Sequence, residues 1–413
     1  MDGELVEPPE PEDAATSAEV PAPPAPVEGE LQEAPAADAD APAPPSLIPI
    51  PPVVDVHDLA WDDIVASLQV RALRGRMRAT VEQLEARLDS EGGLPLLFDE
   101  HRASPDDRAL QLTTVSDAPI WFIGDIHGDL LALDAALALI DREAAREHAR
   151  PRIVLLGDLF DDGGYELETL LRIFELMLEH SPSVCLLAGN HDEALGYNGA
   201  RFTATVSPSD FSDLLNANLA HEWIGRTGKL AVRLVAQAPR ALFFPDGLLA
   251  VHGGFPLTDL HEALAQTGNW NHPQCLTDFV WSRAHPRARR KMPNRTTRGS
   301  QFGYEDFAAF CALSATLGRP VTHMVRGHDH VDERYEIYPA YADHPVLTTV
   351  ALSRRLVREL FGPFVRVPTV ARWVRGSLPQ VYRLHIPEAH IRSCYPEAIG
   401  EDEPPTSTTG GAT

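Results

Sequence analysis

This 413-residue chain has little of what cross-links a protein or anchors it in a membrane. It has 4 cysteines, Cys185, Cys275, Cys311 and Cys394, and no two stand at CxxC spacing. That argues against a disulfide framework or a zinc finger and suits a reducing compartment. No run of about eighteen apolar residues occurs, so no membrane span is expected. The N-terminus has neither a basic stretch nor an apolar core of secretory type. Bases are scarce as well: 35 Lys+Arg face 60 Asp+Glu, for a formal net charge of -25. Non-specific nucleic-acid binding is therefore not expected, because duplex affinity comes mainly from basic neutralisation of phosphates. Together these absences predict a soluble, cytoplasmic protein.

The acidity is uneven. Residues 1–45 carry twelve acids and no base, and residues 397–413 carry four acids and no base. Outside those ends nine net negative charges remain, as in an ordinary acidic globular body. Residues 1–52 are rich in Pro, Ala and Glu, with few large apolar side chains before Leu47. Such a segment cannot bury enough surface to offset its ordering entropy, so it is expected to be disordered. Residues 393–413 read the same way, and a protein partner is the role open to the acidic tail. From Trp61 to Leu88 the spacing is helical, with Ile64, Leu68, Leu73, Met77, Val81, Leu84 and Leu88 on one face. This predicts a helical lead-in over 53–112, packed on a main domain over 113–392.

In that domain, strand-like runs alternate with glycine turns and helices. Ile120–Ile123, Ile153–Leu156 and Val184–Leu187 are apolar runs, and the first two lead into helical patterns over Leu130–Ile140 and Leu167–Leu178. Ala241–Phe244 and Leu248–Val251 flank Pro245-Asp246-Gly247 and read as a hairpin. His323-Met324-Val325 is a further strand, and Val346–Leu352 and Gln380–Ile386 read as closing strands. The order predicts an α/β layered sandwich with ligands at strand ends.

Five short blocks follow five of these runs. They are Gly124-Asp125-Ile126-His127-Gly128, Gly157-Asp158-Leu159-Phe160-Asp161-Asp162-Gly163, Gly189-Asn190-His191-Asp192, His252-Gly253-Gly254 and Arg326-Gly327-His328-Asp329-His330. Singly, each is weak, since a lone Gly-Asp or Gly-His at a strand end is usually structural. In order, they place hard and borderline metal ligands at five strand ends. Asp125 and His127 stand two apart, so an extended segment points both side chains the same way. Asp158 could bridge two ions, Asn190 offers an amide oxygen, and His252 and His328 offer imidazoles. Mixed His/Asp/Asn ligation fits two divalent ions, with Mn²⁺ first and Fe or Zn²⁺ next. Two ions roughly 3.5 to 4 Å apart can hold a hydroxide and polarise a phosphoryl group. His191 is placed to act as general acid, with Asp161 orienting its second ring nitrogen.

The ordered set GDxHG, GDxxDxG, GNHD, HGG and RGH resembles the calcineurin-like metallophosphoesterases, in particular the PPP-type serine/threonine protein phosphatases and their bacterial relatives. The resemblance runs from about Pro119 to Leu352 and includes Trp281-Ser282 and Arg298-Gly299. It implies two mixed sheets flanked by helices, with Asp125 and His127 on the first metal and Asp158 bridging. Asn190, His252 and His328 would bind the second metal, His191 would be the acid with Asp161 as partner, and Arg298 would clamp phosphate. Arg326 is a second arginine that the pattern places near the ions.

Two departures bear on substrate. The family's second block normally ends Asp-Arg-Gly, its arginine gripping phosphate, whereas here Asp162 stands in that place. A carboxylate repels a nearby dianion. The fifth block ends Gly-His-Asp-His, closer to the GHxH of the broader superfamily, which implies that His330 completes the first metal's shell; supporting that shell from behind or lying at the surface are the alternatives. A basic stretch, Arg283, Arg287, Arg289, Arg290, Lys291, Arg295 and Arg298 with no acid among them, offers compensation, as does Arg201. For most of these a solvated loop is the plainer reading. The expected function is a metal-dependent phosphoester hydrolase that uses metal-bound hydroxide, acting on phosphoserine or phosphothreonine in protein or on a small phosphoester. The alternatives are a nucleotide or dinucleoside-polyphosphate hydrolase, a phosphodiesterase, and a non-catalytic metal-binding scaffold.

Overall fold

Apolar side chains alternate along the longer strands, so each sheet presents one core on each face. The computed structural model describes residues 50–68, 70–90, 102, 104–113, 117–289, 299–359 and 361–396. The first sheet runs, in spatial order, Val54–Val56, Gln380–Leu384, Thr369–Trp373, Ile120–Ile123, Arg152–Leu155, Val184–Leu186. The second runs Tyr335–Ile337, Val346–Thr349, His323–Arg326, Leu248–Val251, Ala241–Phe243, Ala109–Gln111. Both are mixed. The strands at 120, 152 and 184 are mutually parallel, as are those at 248, 323 and 346, while Ala241–Phe243 and Leu248–Val251 form the expected antiparallel hairpin.

Period-two alternation decides which side chains face which layer. Ile120, Phe122, Val154 and Cys185 from the first sheet meet Leu242, Leu248, Ala250, Val325 and Leu347 from the second in a shared core. The intervening residues Trp121, Ile123, Ile153, Leu155, Val184 and Leu186 turn outward onto helices Leu130–Glu147, Glu166–His180 and Glu222–Gln237. On the far side, Phe243, Leu249, Val251, Met324 and Val346 meet Phe279, Phe307 and Phe310. The result is helix, sheet, sheet, helix, the layered α/β architecture expected.

The segment 53–112 is more than a helical lead-in. Its ends are strands of the two main sheets: Val54–Val56 pairs with Gln380–Leu384, and Ala109–Gln111 pairs with Ala241–Phe243. The helical stretch divides into Trp61–Ser67 and Val70–Asp89, burying Ile64 and then Leu73, Met77, Val81 and Leu84. The boundary expected at 392 is crossed by helix Glu388–Cys394, because Tyr395 is buried and donates its hydroxyl to Asp129 Oδ1 at 2.8 Å. Residues 1–49 and 397–413 of the expected tails lie outside the described residues. Among the described residues no helix is long and apolar enough to cross a membrane.

Candidate metal centre

All five blocks begin at the carboxyl ends of parallel strands, where ligands collect in open α/β sheets. The chain turns sharply there. Of the eight non-glycine residues with positive φ among the described residues, six are Asp125, His127, Asp158, Asp161, Asp162 and His328. Such conformations are costly for residues with a Cβ and persist only where surrounding contacts enforce them. Three sets of contacts enforce them here. Ile126 and His127 both donate N–H to Asp158 O (2.8 and 2.9 Å), locking the first block to the second. Asp192 is fully buried and accepts backbone N–H from Asp158 (2.7 Å), Leu159 (2.9 Å) and Gly189 (2.8 Å), locking the second to the third. His328 N–H reaches both oxygens of Asp125 at 2.9 Å, tying the fifth block to the first. Gly189 and Gly327 allow this closeness: a Cβ on either would stand 2.2 Å from a carboxylate oxygen, of Asp158 and Asp125 respectively.

The side chains converge as a consequence. Three overlapping groups, Asp125/His127/His330, His127/Asp158/His191 and Asp158/His252/His328, each hold their ligand atoms within 4.8 Å of one another. Asn190 joins the third, its Oδ1 lying 3.0 Å from His252 Nε2. In three imidazoles the outer nitrogen is fixed by a backbone carbonyl: His127 Nδ1 by Phe160 O (3.0 Å), His252 Nδ1 by Leu156 O (2.9 Å) and His328 Nε2 by Trp281 O (3.3 Å). Each carbonyl accepts an N–H, which turns the other ring nitrogen toward the cluster, where a cation would replace the contacts made here, His127 Nε2 with Arg358 Nη2 (2.9 Å) and His252 Nε2 with His328 Nδ1 (3.1 Å). Metal-ligating histidines are held in this way.

The charge distribution also fits cations. Burial would raise Asp125, but the hydrogen bond from His330 and the charge of His252 bring it down to about 2. Asp158 is held well below its ordinary value against burial by His252 and His191. Burial pushes His252 down, yet Asp158 and Asp125 beside it carry it up to about 9. Two buried carboxylates thus stay ionised and draw protons onto neighbouring histidines, a field that divalent cations would neutralise. Asp125, His127, Asp158, Asn190, His252 and His328 fit such ions in donor type and spacing, and His330 is the seventh candidate.

His191 is set apart. Its Nδ1 lies 2.8 Å from Asp161 Oδ2, while Asp161 Oδ1 accepts the N–H of Phe211 at 2.9 Å. Burial lowers its pKa, but Asp158 and the Asp161 hydrogen bond outweigh that and leave it raised. This is the environment a proton donor needs.

The calcineurin-like phosphoesterase family model matches residues 118–332, slightly more than half of the chain and all five blocks. The chain belongs to the calcineurin-like phosphoesterases. Among curated proteins it is 25% identical over 232 residues to the serine/threonine-protein phosphatase 6 catalytic subunit of Caenorhabditis elegans, covering 53% of this chain and 61% of that one. It is 37% identical over 170 residues to the serine/threonine-protein phosphatase 4 catalytic subunit of Candida glabrata, covering 40% and 50% respectively. The chain thus spans about half to three fifths of the length of these relatives. A solved protein serine/threonine phosphatase from Saccharomyces cerevisiae superposes with a TM-score of 0.48 at 14% identity, covering 73% of this chain and 83% of that one.

Within this phosphoesterase the arginines depart from expectation. Arg326 does not face substrate: it is fully buried, and its guanidinium is spent on Gly253 O, Ser282 O (3.2 Å), Thr348 Oγ1 (3.1 Å) and Asp329 Oδ2 (2.5 Å). It staples the fourth block to the fifth. Arg298, with Arg290, Lys291 and Arg295, lies outside the described residues. Arg283 braces the fifth block through His328 O and Asp329 Oδ1, both at 2.8 Å. Arg289 pairs with Glu305, and Arg201 is exposed on a loop. His330 lies between two carboxylates, Nε2 at 3.0 Å from Asp125 and Nδ1 at 3.2 Å from Glu359.

Two residues near the centre escaped the sequence reading. Glu359 supports His330, and Arg358 enters the site beside Asp162 at 3.0 Å. The available signal was the run Ser353-Arg354-Arg355-Leu356-Val357-Arg358, three bases after a buried strand, shortly after the fifth block.

Proposed function

We propose that this phosphoesterase removes a phosphoryl group from phosphoserine or phosphothreonine in proteins, with Mn²⁺ as the leading metal. The observation that carries the reading is the placement of His191, paired with Asp161, against a buried cluster of six metal-ligand candidates. When bound, a pair of divalent cations supplies positive charge for the phosphoryl oxygens and acidifies water for attack. Asp125, His127, Asp158, Asn190, His252 and His328 would hold the pair. The backbone carbonyls behind the histidines keep their inner nitrogens presented, so little reorganisation accompanies the reaction. His191 Nε2 would carry the proton that the departing seryl or threonyl oxygen needs, while Asp161 holds Nδ1 and stabilises the charged ring. Direct attack by water on the ester then needs no covalent phosphoenzyme. The likeness to two serine/threonine phosphatase catalytic subunits supports protein as the substrate class, and the four free cysteines support a cytoplasmic setting.

A second reading, hydrolysis of a dinucleoside polyphosphate or a phosphodiester, is favoured by Asp162, which removes a dianion grip from the second block. Turnover should be compared on a phosphothreonine peptide, a dinucleoside polyphosphate and a bis-aryl phosphate diester, each with Mn²⁺. The peptide is expected to be cleaved with the highest kcat/KM. Negligible peptide turnover beside rapid cleavage of another substrate rejects the protein-phosphatase reading.

A further inference from the structure

We propose that Arg358 grips the phosphoryl group of the substrate and that Asp162 positions it, which together replace the arginine absent from the second block. The proposal rests on the phosphoester-hydrolase reading above and names the residue that binds the substrate's dianion.

The position of the guanidinium is the first argument. Arg358 Nη2 lies 2.9 Å from His127 Nε2 and 3.0 Å from Asp162 Oδ2, and Nη1 lies 2.9 Å from His191 Nε2. Both histidine contacts are guanidinium N–H groups donating into imidazole lone pairs, so a cation on His127 and a proton on His191 Nε2 would displace the guanidinium outward by a short shift. A phosphoryl group held between that cation and that proton donor would then lie within the guanidinium's reach.

Accessibility is the second. The Asp162 side chain is 1% exposed, whereas that of Arg358 is 32% exposed. The carboxylate is hidden behind the cation, so an arriving anion meets the guanidinium and not the acid that would repel it. Arg358 also stands at the edge of a cleft of about 870 Å³ lined by Asp162, Tyr165, Arg355 and Phe364 but by none of the ligand candidates, so the arginine lies between that cleft and the cluster. A guanidinium has five N–H donors in a fixed fork, so contacts to Asp162, His127 and His191 still leave donors for phosphate.

Delivery is the third. Residues 353–355 pair with residues 364–366 through Arg355 N–H to Phe364 O (2.7 Å) and Arg366 N–H to Ser353 O (2.8 Å). Ser353 is pinned to Asp129 Oδ2 through both N–H (2.8 Å) and hydroxyl (2.7 Å). The neighbour of Arg358, Glu359, is held by buried Arg334 at 2.5 and 2.8 Å. The arm is thus tied at its root and immediately beside the arginine it presents. Elsewhere, Arg326 is consumed by internal acceptors and Arg283 is paired with Asp329.

The test uses the full chain loaded with Mn²⁺ and the variants Arg358→Ala, Arg358→Lys and Asp162→Asn. Titration calorimetry with inorganic phosphate and with Mn²⁺ separates anion binding from metal binding. Turnover of p-nitrophenyl phosphate and of a phosphothreonine peptide is measured alongside. Loss of a charge-assisted grip should weaken phosphate binding roughly 10- to 100-fold in Arg358→Ala, with Mn²⁺ affinity within twofold of wild type. Arg358→Lys should recover part of the loss, because charge returns without the fork. Asp162→Asn should raise KM more than it lowers kcat, since the guanidinium remains but is no longer fixed. Unchanged phosphate affinity in Arg358→Ala overturns the proposal, and so does a parallel loss of Mn²⁺. If the wild type binds phosphate through Arg358 yet hydrolyses none of the monoesters, the functional reading fails and this assignment stands.

Discussion

His191 differs from His127, His252 and His328 in what holds its outer nitrogen: a carboxylate in place of a backbone carbonyl. A carbonyl fixes which ring nitrogen faces the cluster, whereas a carboxylate also stabilises the charged ring from behind, so His191 is set up to keep a proton beside bound cations that would displace the one on His252. His191→Ala should therefore keep Mn²⁺ affinity near wild type while kcat on phenyl phosphate falls about 10²- to 10⁴-fold. On p-nitrophenyl phosphate, whose leaving group needs less protonation, the fall should be much smaller. Equal losses on the two esters would remove the acid role. The block residues were legible because chemistry restricts them to a few residue types beside glycine. Arg326 misled for the opposite reason: its neighbours in sequence lie at the centre, but its side chain turns back into the protein and finds four acceptors there. Sequence proximity to a ligand says little about which way a long side chain runs.

At the scale of elements, the site is a set of strand-end loops that fit only if backbones approach closely. Gly327→Ala would bring a methyl to 2.2 Å from Asp125 Oδ1, and neither the fifth block nor the carboxylate can yield without losing the His328 N–H contacts. Mn²⁺ affinity should drop at least tenfold, as when a support of a ligand is removed. An unchanged Mn²⁺ titration would show that the loops adjust freely. Glu359 makes a second element-level prediction, because it ties the arm to the buried guanidinium of Arg334. Glu359→Ala leaves that charge inside without its carboxylate and should cost about 3 kcal/mol, read from denaturant unfolding. It should also weaken Mn²⁺ binding by freeing His330, and a loss under 1 kcal/mol would contradict the buried-pair account.

The long strands were legible because continuous apolar runs mark strands buried on both faces. Ala109–Gln111 and Val54–Val56 were not, since each is three residues long and its partner lies far away in sequence. Thr369–Trp373 was missed as well: Arg372 interrupts the apolar pattern, and only pairing with Ile120–Ile123 reveals the strand. Arg358 shares this difficulty, because its partner Asp162 lies in another block and only the folded arm brings them together.

For the whole molecule, two sheets share one apolar core and converge their strand ends on buried carboxylates. Asp125, Asp158, Asp161, Asp162 and Asp192 are all buried around this point, so folding gathers negative charge that the unfolded chain leaves in water. Histidines and Arg358 offset part of it, and cations bound only by the folded state would stabilise it by mass action. At free Mn²⁺ one hundred times the dissociation constant, a single site contributes about 2.7 kcal/mol, so Tm should rise by several degrees and fall again with a chelator. Asp158→Asn removes the carboxylate shared by two of the candidate ligand groups, and its Tm should no longer respond to Mn²⁺. The variant's Tm in chelator should fall below that of wild type in chelator, because buried His252 loses the carboxylate it pairs with. A wild-type Tm indifferent to Mn²⁺, or an Asp158→Asn variant that still responds in full, would mean that this converging cluster is not where the ions bind.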